Sequence, residues 1–181
     1  MHRIMQILHE DHVNVARLLD VMDDELERAR QGDLSDLNVM HHSMRYMTAY
    51  PDIYHHPTEE IVFERLATRA PETRAVIERL SGEHRTIGKS GTVFLETLQL
   101  SMEQPDVAEK LLELGPDYCD RLRQHMDTEE GKVFPMIKVV LSSHDWESLE
   151  QSIASAGDPL FGPQVQKSYQ DLARALGHKT T

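Results

Sequence analysis

Histidine and glutamate stand four positions apart at two corresponding places in this sequence, His55 with Glu59 and His125 with Glu129. Residues at this spacing lie one turn apart on the same face of a helix, with about 6 Å between their Cβ atoms. An imidazole and a carboxylate so placed can bind one metal centre from a single helix. Both pairs are therefore candidate metal ligands.

Each pair closes one half of an internal repeat. In each half an acidic residue directly precedes a histidine on an apolar helical stripe, and the His-x-x-x-Glu motif follows after a gap of 43 or 41 positions. Both motifs contain Thr-Glu-Glu and run into a valine and a phenylalanine. The matching segments are Asp11-His12 and Glu83-His84, Thr58-Glu59-Glu60 and Thr128-Glu129-Glu130, and Val62-Phe63 and Val133-Phe134. We interpret the chain as two copies of one helical hairpin.

An antiparallel bundle of such hairpins would bring these motifs to a common level in its core. Imidazole suits iron, zinc, copper and nickel, while carboxylates favour harder ions and can bridge two of them. Without a cation, each buried glutamate would cost several kcal/mol or take up a proton. We therefore predict a di-metal site with iron as the metal. The predicted ligands are His12, His55, Glu59, His84, His125 and Glu129.

The choice of register in the first motif rests on the apolar stripe, because His56 and Glu60 form a third pair at the same spacing. Glu59 has apolar residues three, four and seven positions later on its own face, whereas Glu60 has only Ala67 at the seventh. We prefer His55 with Glu59. His56 and Glu60 remain the second choice, as residues at the rim or behind the ligands.

Other side chains near the motifs are weaker candidates. His9 could face the same site, but we expect it at the end of its helix or behind the ligands. His41 and His42 are candidates for an accessory metal site. Three tyrosine hydroxyls could donate hydrogen bonds to a bridging carboxylate. These are Tyr50, Tyr54 and Tyr118.

Apolar residues recur at helical spacing along the chain, and no segment shows the alternation typical of a strand. A first helix is predicted over residues 3–30. Gly32 is expected to end it, and Asp33 to cap the next helix. The second stripe, residues 37–66, continues across Pro51. It predicts either one kinked helix or two nearly collinear ones.

Pro71 is expected at the first position of the third helix. The fourth runs from Val107 to about Leu141, with a bend or restart at Gly115-Pro116, and shorter helices are expected over 143–153 and 164–176. The predicted fold is all-α: an antiparallel up-down-up-down four-helix bundle with additional short C-terminal helices. A single domain would span residues 1–181, with its bundle core at about 3–142 and a helical extension at about 143–177.

Composition excludes several classes of protein. With 31 acidic and 19 basic residues the net charge is −12, which disfavours a nucleic-acid partner. No apolar run approaches the roughly 20 residues that span a bilayer, and no secretory signal is recognisable, so we expect a cytoplasmic protein without a membrane partner. The single cysteine, Cys119, rules out an internal disulfide and a site built from several thiolates.

The order His, His-x-x-x-Glu, Glu-His, His-x-x-x-Glu resembles the hemerythrin-like (HHE) cation-binding domain, over about residues 4–141. Tyr50-Pro51-Asp52 before the first motif and the tail Asp158-Pro159-Leu160-Phe161-Gly162 are also similar to bacterial members. The resemblance implies a four-helix bundle with two iron ions in an oxo- or hydroxo-bridged centre. It makes the four histidines terminal ligands and the two glutamates bridges.

The sequence departs from oxygen-carrying members at two positions. Leu80 stands where they have a fifth histidine, and Glu129 supplies the last bridging acid at a spacing of four where they have an aspartate at five. An open coordination position suits reaction with a small ligand better than reversible oxygen carriage.

We therefore expect a non-haem di-iron protein whose partner is a small diatomic or peroxidic ligand, namely oxygen, peroxide or nitric oxide. Catalytic turnover remains an open question, and the sequence assigns no oligomeric state. The alternative is a module that stores, senses or delivers iron without turnover.

Overall fold

The computed structural model describes residues 2–34, 37–104, 108–153 and 158–177. All regular secondary structure within these ranges is helical, which confirms the all-α prediction. The α-helices are α1 (Arg3–Arg30), α2 (Asn38–Met47), α3 (His56–Arg69), α4 (Arg74–Glu103), α5 (Ala108–Thr128), α6 (Phe134–Val140), α7 (Ser143–Ser152) and α8 (Gln170–Ala175). Short 3₁₀ segments, Pro71–Thr73 and Lys167–Tyr169, precede α4 and α8.

The end of α1 agrees with the sequence prediction, but the start of α2 does not. Gly32 has a φ of 85°, a left-handed conformation that glycine adopts without steric cost and that ends a helix. Asp33, the predicted cap of the next helix, instead accepts hydrogen bonds from Arg28 Nε and Nη2 at 3.1 and 2.7 Å. The carboxylate thus binds the guanidinium in the last turn of α1, and α2 begins after Leu37 without a side-chain cap.

Two π-helical segments interrupt the helices beside the predicted ligands. Pro51–His55 separates α2 from α3, so the predicted kink at Pro51 takes the form of a wider turn. Glu129–Val133 separates α5 from α6. Of the bend or restart predicted at Gly115-Pro116, the restart is wrong, because α5 continues through both residues, and the bend stays a prediction. Val107, its predicted first residue, lies outside the described ranges. A π turn inserts an extra residue into the helical ladder and is frequent at functional sites.

Contacts between neighbouring helices show that α1 and α5 run in opposite directions. Near the start of α1, His12 contacts Glu130, just beyond the end of α5. Further along α1, Asp23 accepts a hydrogen bond from Arg123. The same reversal relates α4 to α5, where His125 contacts Glu83 and Phe94 packs near Tyr118.

The buried apolar side chains form two clusters along the helices. One contains Val15, Ile87 and Leu122, and the other contains Leu8, Leu80 and Val133. Members of the two clusters flank the predicted histidine ligands on α1 and α4, and they do so along α5 together with the π segment that follows it. The ligands therefore occupy a polar layer between two apolar layers, which shield them from water.

The C-terminal segments pack against this bundle. The buried Asp145 near the start of α7 accepts hydrogen bonds from Arg65 and Arg69 of α3, and it forms a capping box with Ser142. The last predicted helix is shorter than expected and starts at Lys167 instead of 164. Residues 154–157 of the extension lie outside the described ranges. None of the described helices has the length and apolar character needed to cross a bilayer.

Close packing of α1, α4 and α5 depends on Gly115, where a Cβ would lie 2.6 Å from Leu26 Cδ2 and 3.1 Å from Phe94 Cζ. We expect Gly115→Ala to lower the free energy of unfolding by about 1–3 kcal/mol through overpacking. At Gly82, also within a helix, the nearest atom to a Cβ is Arg85 Nη2 at 3.8 Å.

Gly82→Ala is the matched control and should raise the free energy of unfolding by about 0.5–1 kcal/mol, since alanine is the better helix former. Urea titration of both variants in the same metal-free buffer measures the difference. Similar changes in the two variants would contradict the assigned packing.

Candidate metal centre

The structure brings all six predicted ligands together in the polar layer. His12 lies on α1, His55 ends the first π segment, His84 lies on α4 and His125 on α5, and each is 3–7% exposed. The two carboxylates, Glu59 on α3 and Glu129 at the start of the second π segment, are fully buried. Elements far apart in sequence thus converge on one point.

The two oxygens of Glu59 face different histidines. Oε1 lies 3.5 Å from His12 Nε2 and 3.3 Å from His55 Nε2. Oε2 lies 3.4 Å from His84 Nε2. One carboxylate therefore faces both halves of the repeat.

Glu129 mirrors this arrangement from the opposite side. Its Oε1 lies 3.4 Å from His84 Nε2 and 3.1 Å from His125 Nε2. Its Oε2 lies 3.4 Å from His12 Nε2. The cluster contains two separate groups with metal-ligating spacing, one of His12, His55 and Glu59 and one of His84, His125 and Glu129.

The inward-facing atoms of the cluster lack hydrogen-bond partners. This holds for both oxygens of Glu59 and of Glu129, and for Nε2 of His84 and of His125. Nε2 of His12 and Nε2 of His55 face each other at 3.1 Å. Buried polar atoms are normally paired, so a convergent set of lone pairs without donors fits a cation.

The outward-facing nitrogen of each imidazole contacts its own carboxylate. Each of the four Nδ1 atoms lies 3.0 Å from a carboxylate oxygen. The pairs are His12 with Glu130, His55 with Asp11, His84 with Glu60 and His125 with Glu83. When Nδ1–H donates to such an acceptor, the lone pair of Nε2 is free and points inward.

These contacts follow the sequence repeat. The acid directly before the first histidine of each half holds the second histidine of the same half. The second glutamate of each Thr-Glu-Glu holds the first histidine of the other half. This role of Asp11, Glu83 and Glu130 was not predicted from the sequence, although the duplicated acids were a visible signal.

The weaker candidates lie outside the cluster. The His9 Nδ1 atom lies 2.9 Å from Glu130, but the side chain is 49% exposed. His41 and His42 contact each other edge to face and belong to no metal-ligating group among the described residues. Burial raises the pKa of the Cys119 thiol to about 12, as expected for a thiol with a packing role.

Within the described ranges, no tyrosine hydroxyl is hydrogen bonded to the inner carboxylates. Tyr50 donates to Asp11 over a long 3.5 Å, behind His55. Tyr54 is 41% exposed. The Tyr118 side chain lies in the apolar cluster, and its ring packs over Gly91, where a Cβ would lie 3.1 Å from Cε2.

Three cavities adjoin the cluster. The smallest has a volume of about 20 Å³, and its lining combines apolar residues, including Leu122 and Met126, with five imidazole or carboxylate side chains: His12, His55, His56, His125 and Glu129. A volume of this size holds about one water-sized molecule.

The two larger cavities open to solvent. One, of about 330 Å³, includes Asp11, Tyr54 and His55 in its lining. The other, of about 420 Å³, includes Glu83 and His125.

Charges in the cluster shift the pKa values of its members strongly. Burial alone lowers the pKa of His55 and His84, but the neighbouring carboxylates outweigh it and raise these values to about 9 and about 10. Burial raises the pKa of Glu59, yet the surrounding imidazoles hold it well below its usual range. In the absence of a cation, protons on the histidines therefore balance the buried carboxylates, and a metal ion must displace them.

Comparison with known proteins gives one family match. A family model described as hemerythrin HHE cation binding domain matches residues 3–137. That range contains all six residues of the cluster and their four carboxylate partners. No curated protein matches the chain.

The stability of the metal-free protein should fall as the pH rises, whereas the stabilisation by bound metal should increase. A raised histidine pKa contributes stability that is fully present below the usual value of 6.5 and is lost as the pH rises through about 9–10. We expect the melting temperature of the chelator-treated protein to fall over this interval.

Zinc-loaded protein serves as the comparison, because deprotonated imidazoles bind zinc more tightly as the pH rises. The gap between the two melting temperatures should widen from pH 6.5 upward. A metal-free protein that gains stability over this interval would contradict the assigned protonation.

Proposed function

Since the chain belongs to the hemerythrin HHE cation-binding domain family, we propose that it holds two iron ions at the six-residue cluster and reacts there with a small ligand. The ligand would be oxygen, peroxide or nitric oxide. The same proposal includes the up-down-up-down order of the helices, for which the opposite directions of α1 and α5 are support.

The observation that carries the proposal is the position of the two buried carboxylates. Each directs one oxygen to His12 and the other to His84, so each lies between the two metal-ligating groups. Two like charges this close repel each other, and a bridged pair of cations compensates both. One ion per group accounts for every inward-facing atom that lacks a hydrogen bond.

Iron is the metal that this donor set and the family favour together. Four imidazoles with two carboxylates combine nitrogen ligands, typical of iron and zinc, with oxygen ligands that harder ions prefer. Iron held here supplies one-electron chemistry and open coordination positions for a small molecule.

The chain's own residues would do three things. The outer carboxylates orient the imidazoles by accepting the Nδ1 protons, as with Asp11 and His55. The apolar layers, with Leu80 and Ile87 on either side of His84, exclude bulk water from the centre. The 20 Å³ cavity admits a molecule no larger than a few atoms and excludes organic substrates.

Glu129→Gln tests the two-ion centre. The amide keeps the size of the side chain but loses the charge that bridges two cations, so we expect fewer than two irons per chain after anaerobic reconstitution. The measurement is elemental analysis of the desalted protein.

Glu130→Gln is the matched control at the next position, since Glu130 contacts only the outer nitrogen of His12 within the centre. It should retain both irons with an affinity about 10–100-fold lower. Wild-type protein that saturates with one ion would refute the two-ion proposal.

The proposed reactivity is tested with the reduced, iron-loaded protein. Nitric oxide or hydrogen peroxide should change its optical spectrum in a stopped-flow experiment. Leu122→Phe, which narrows the small cavity, should slow this reaction while the iron content stays unchanged.

One result would count against reactivity and another against the route of entry. An unchanged spectrum, together with loss of iron to a ferrous chelator under physiological reductant, would favour the alternative of iron storage or delivery. Equal rates in wild type and Leu122→Phe would show that the ligand does not enter through this cavity.

A further inference from the structure

A fifth imidazole lies next to the cluster. The His56 side chain is 12% exposed, and its ring stacks on that of His84 with 4.2 Å between centroids and 18° between planes. It forms a metal-ligating group with Glu59 and His84. His56 thus lies beside the half of the centre that contains His84 and His125.

The nitrogen contacts of His56 match those of the four predicted ligands. Its Nδ1 lies 3.1 Å from Asp52 Oδ1, so a carboxylate fixes the ring and leaves Nε2 available. Asp52 lies in the π segment one turn before His56, and its carboxylate packs over Gly88 of α4, where a side chain is absent.

Adjacent residues of a helix point about 100° apart, which allows His55 and His56 to reach different partners. The ring of His55 contacts His12 on α1, with centroids 4.9 Å apart. The ring of His56 contacts His84 on α4. The two neighbours therefore approach the centre from two sides.

The second half of the repeat lacks this pair. The positions that correspond to Asp52 and His56 are Leu122 and Met126, and both line the small cavity beside His12 and His55. One half has an extra carboxylate–imidazole pair where the other has two apolar side chains. The asymmetry is unlike the rest of the duplicated site.

We propose that His56 is a fifth imidazole ligand, bound to the ion held by His84 and His125. This rests on the proposed two-metal function. Leu80, one turn before His84 on α4, is fully buried in an apolar cluster and has no ligand atom. His56 would supply the second nitrogen ligand that α4 lacks at this position. The ion held by His12 and His55 then has fewer protein ligands, which makes it the one that accepts an external small molecule.

Proton NMR of the cobalt(II)-loaded protein tests the assignment. Each coordinated imidazole whose Nδ1–H donates to a carboxylate gives one strongly shifted, solvent-exchangeable signal. We expect five such signals in wild type, one for each of the five histidines with a fixed Nδ1, and four in His56→Ala. Cobalt titration should also show the affinity for one of the two ions reduced about tenfold or more in the variant.

His9→Ala is the matched control, because His9 also contacts a carboxylate through Nδ1 but is half-exposed. It should keep all the shifted signals. Asp52→Asn should retain the His56 signal, but the signal should broaden because the Nδ1 proton exchanges faster with solvent. If Asp52 had only a structural role, this signal would keep its width.

Wild-type protein alone decides the question if His56→Ala does not fold. Four shifted signals with two cobalt ions bound would overturn the assignment of His56 and leave the proposed centre intact. Absence of bound cobalt would overturn the proposed function itself. A signal count that is unchanged in folded His56→Ala would also overturn the assignment.

Discussion

The structure depends on two carboxylates, Glu59 and Glu129, that are fully buried without a hydrogen-bond partner for any of their oxygens. Burial of an unpaired charge costs more free energy than most proteins have as net stability. Protons on the surrounding imidazoles balance this charge in the absence of a metal, and two cations between the four histidines would take their place. The polar layer between the two apolar clusters therefore requires positive charge beside the carboxylates, held either as protons or as bound cations.

The surrounding carboxylates extend this compensation outward. Each imidazole lies between an inner glutamate and an outer acid, so that its orientation is fixed before a metal binds and Nδ1 keeps its proton when the metal displaces the one on Nε2. Because the outer acid of His12 and that of His84 each come from the opposite half of the repeat, the two hairpins cannot shift relative to each other without disturbing the centre. The same contacts thus serve the fold and the chemistry.

The two halves of the repeat differ in the side chains that they place beside the cluster. Asp52 and His56 in one half correspond to Leu122 and Met126 in the other, so an imidazole in one half takes the place of an apolar side chain in the other. Two otherwise equivalent ions would then have unequal protein ligation. Under the proposed function, the ion with fewer protein ligands would be the one open to a small molecule.

The sequence alone determined the helical class, the repeat and the six residues that converge, because helical periodicity and the spacing of four are local properties. The apolar residues that follow Glu59 also distinguished it from Glu60, and Glu59 is the fully buried one of the two. The outer acids, the second π segment and the contact of His56 with His84 were decided only by tertiary structure. Asp11, Glu83 and Glu130 reach their histidines on other helices only through long-range packing. The spacing of residues along the chain does not determine how closely these carboxylates approach the imidazoles. The π turn at Glu129–Val133 contains no proline, and Pro135, at the second position of the helix that follows, did not by itself predict it. At Pro116, in contrast, the α-helical geometry persists because packing outweighs the local preference.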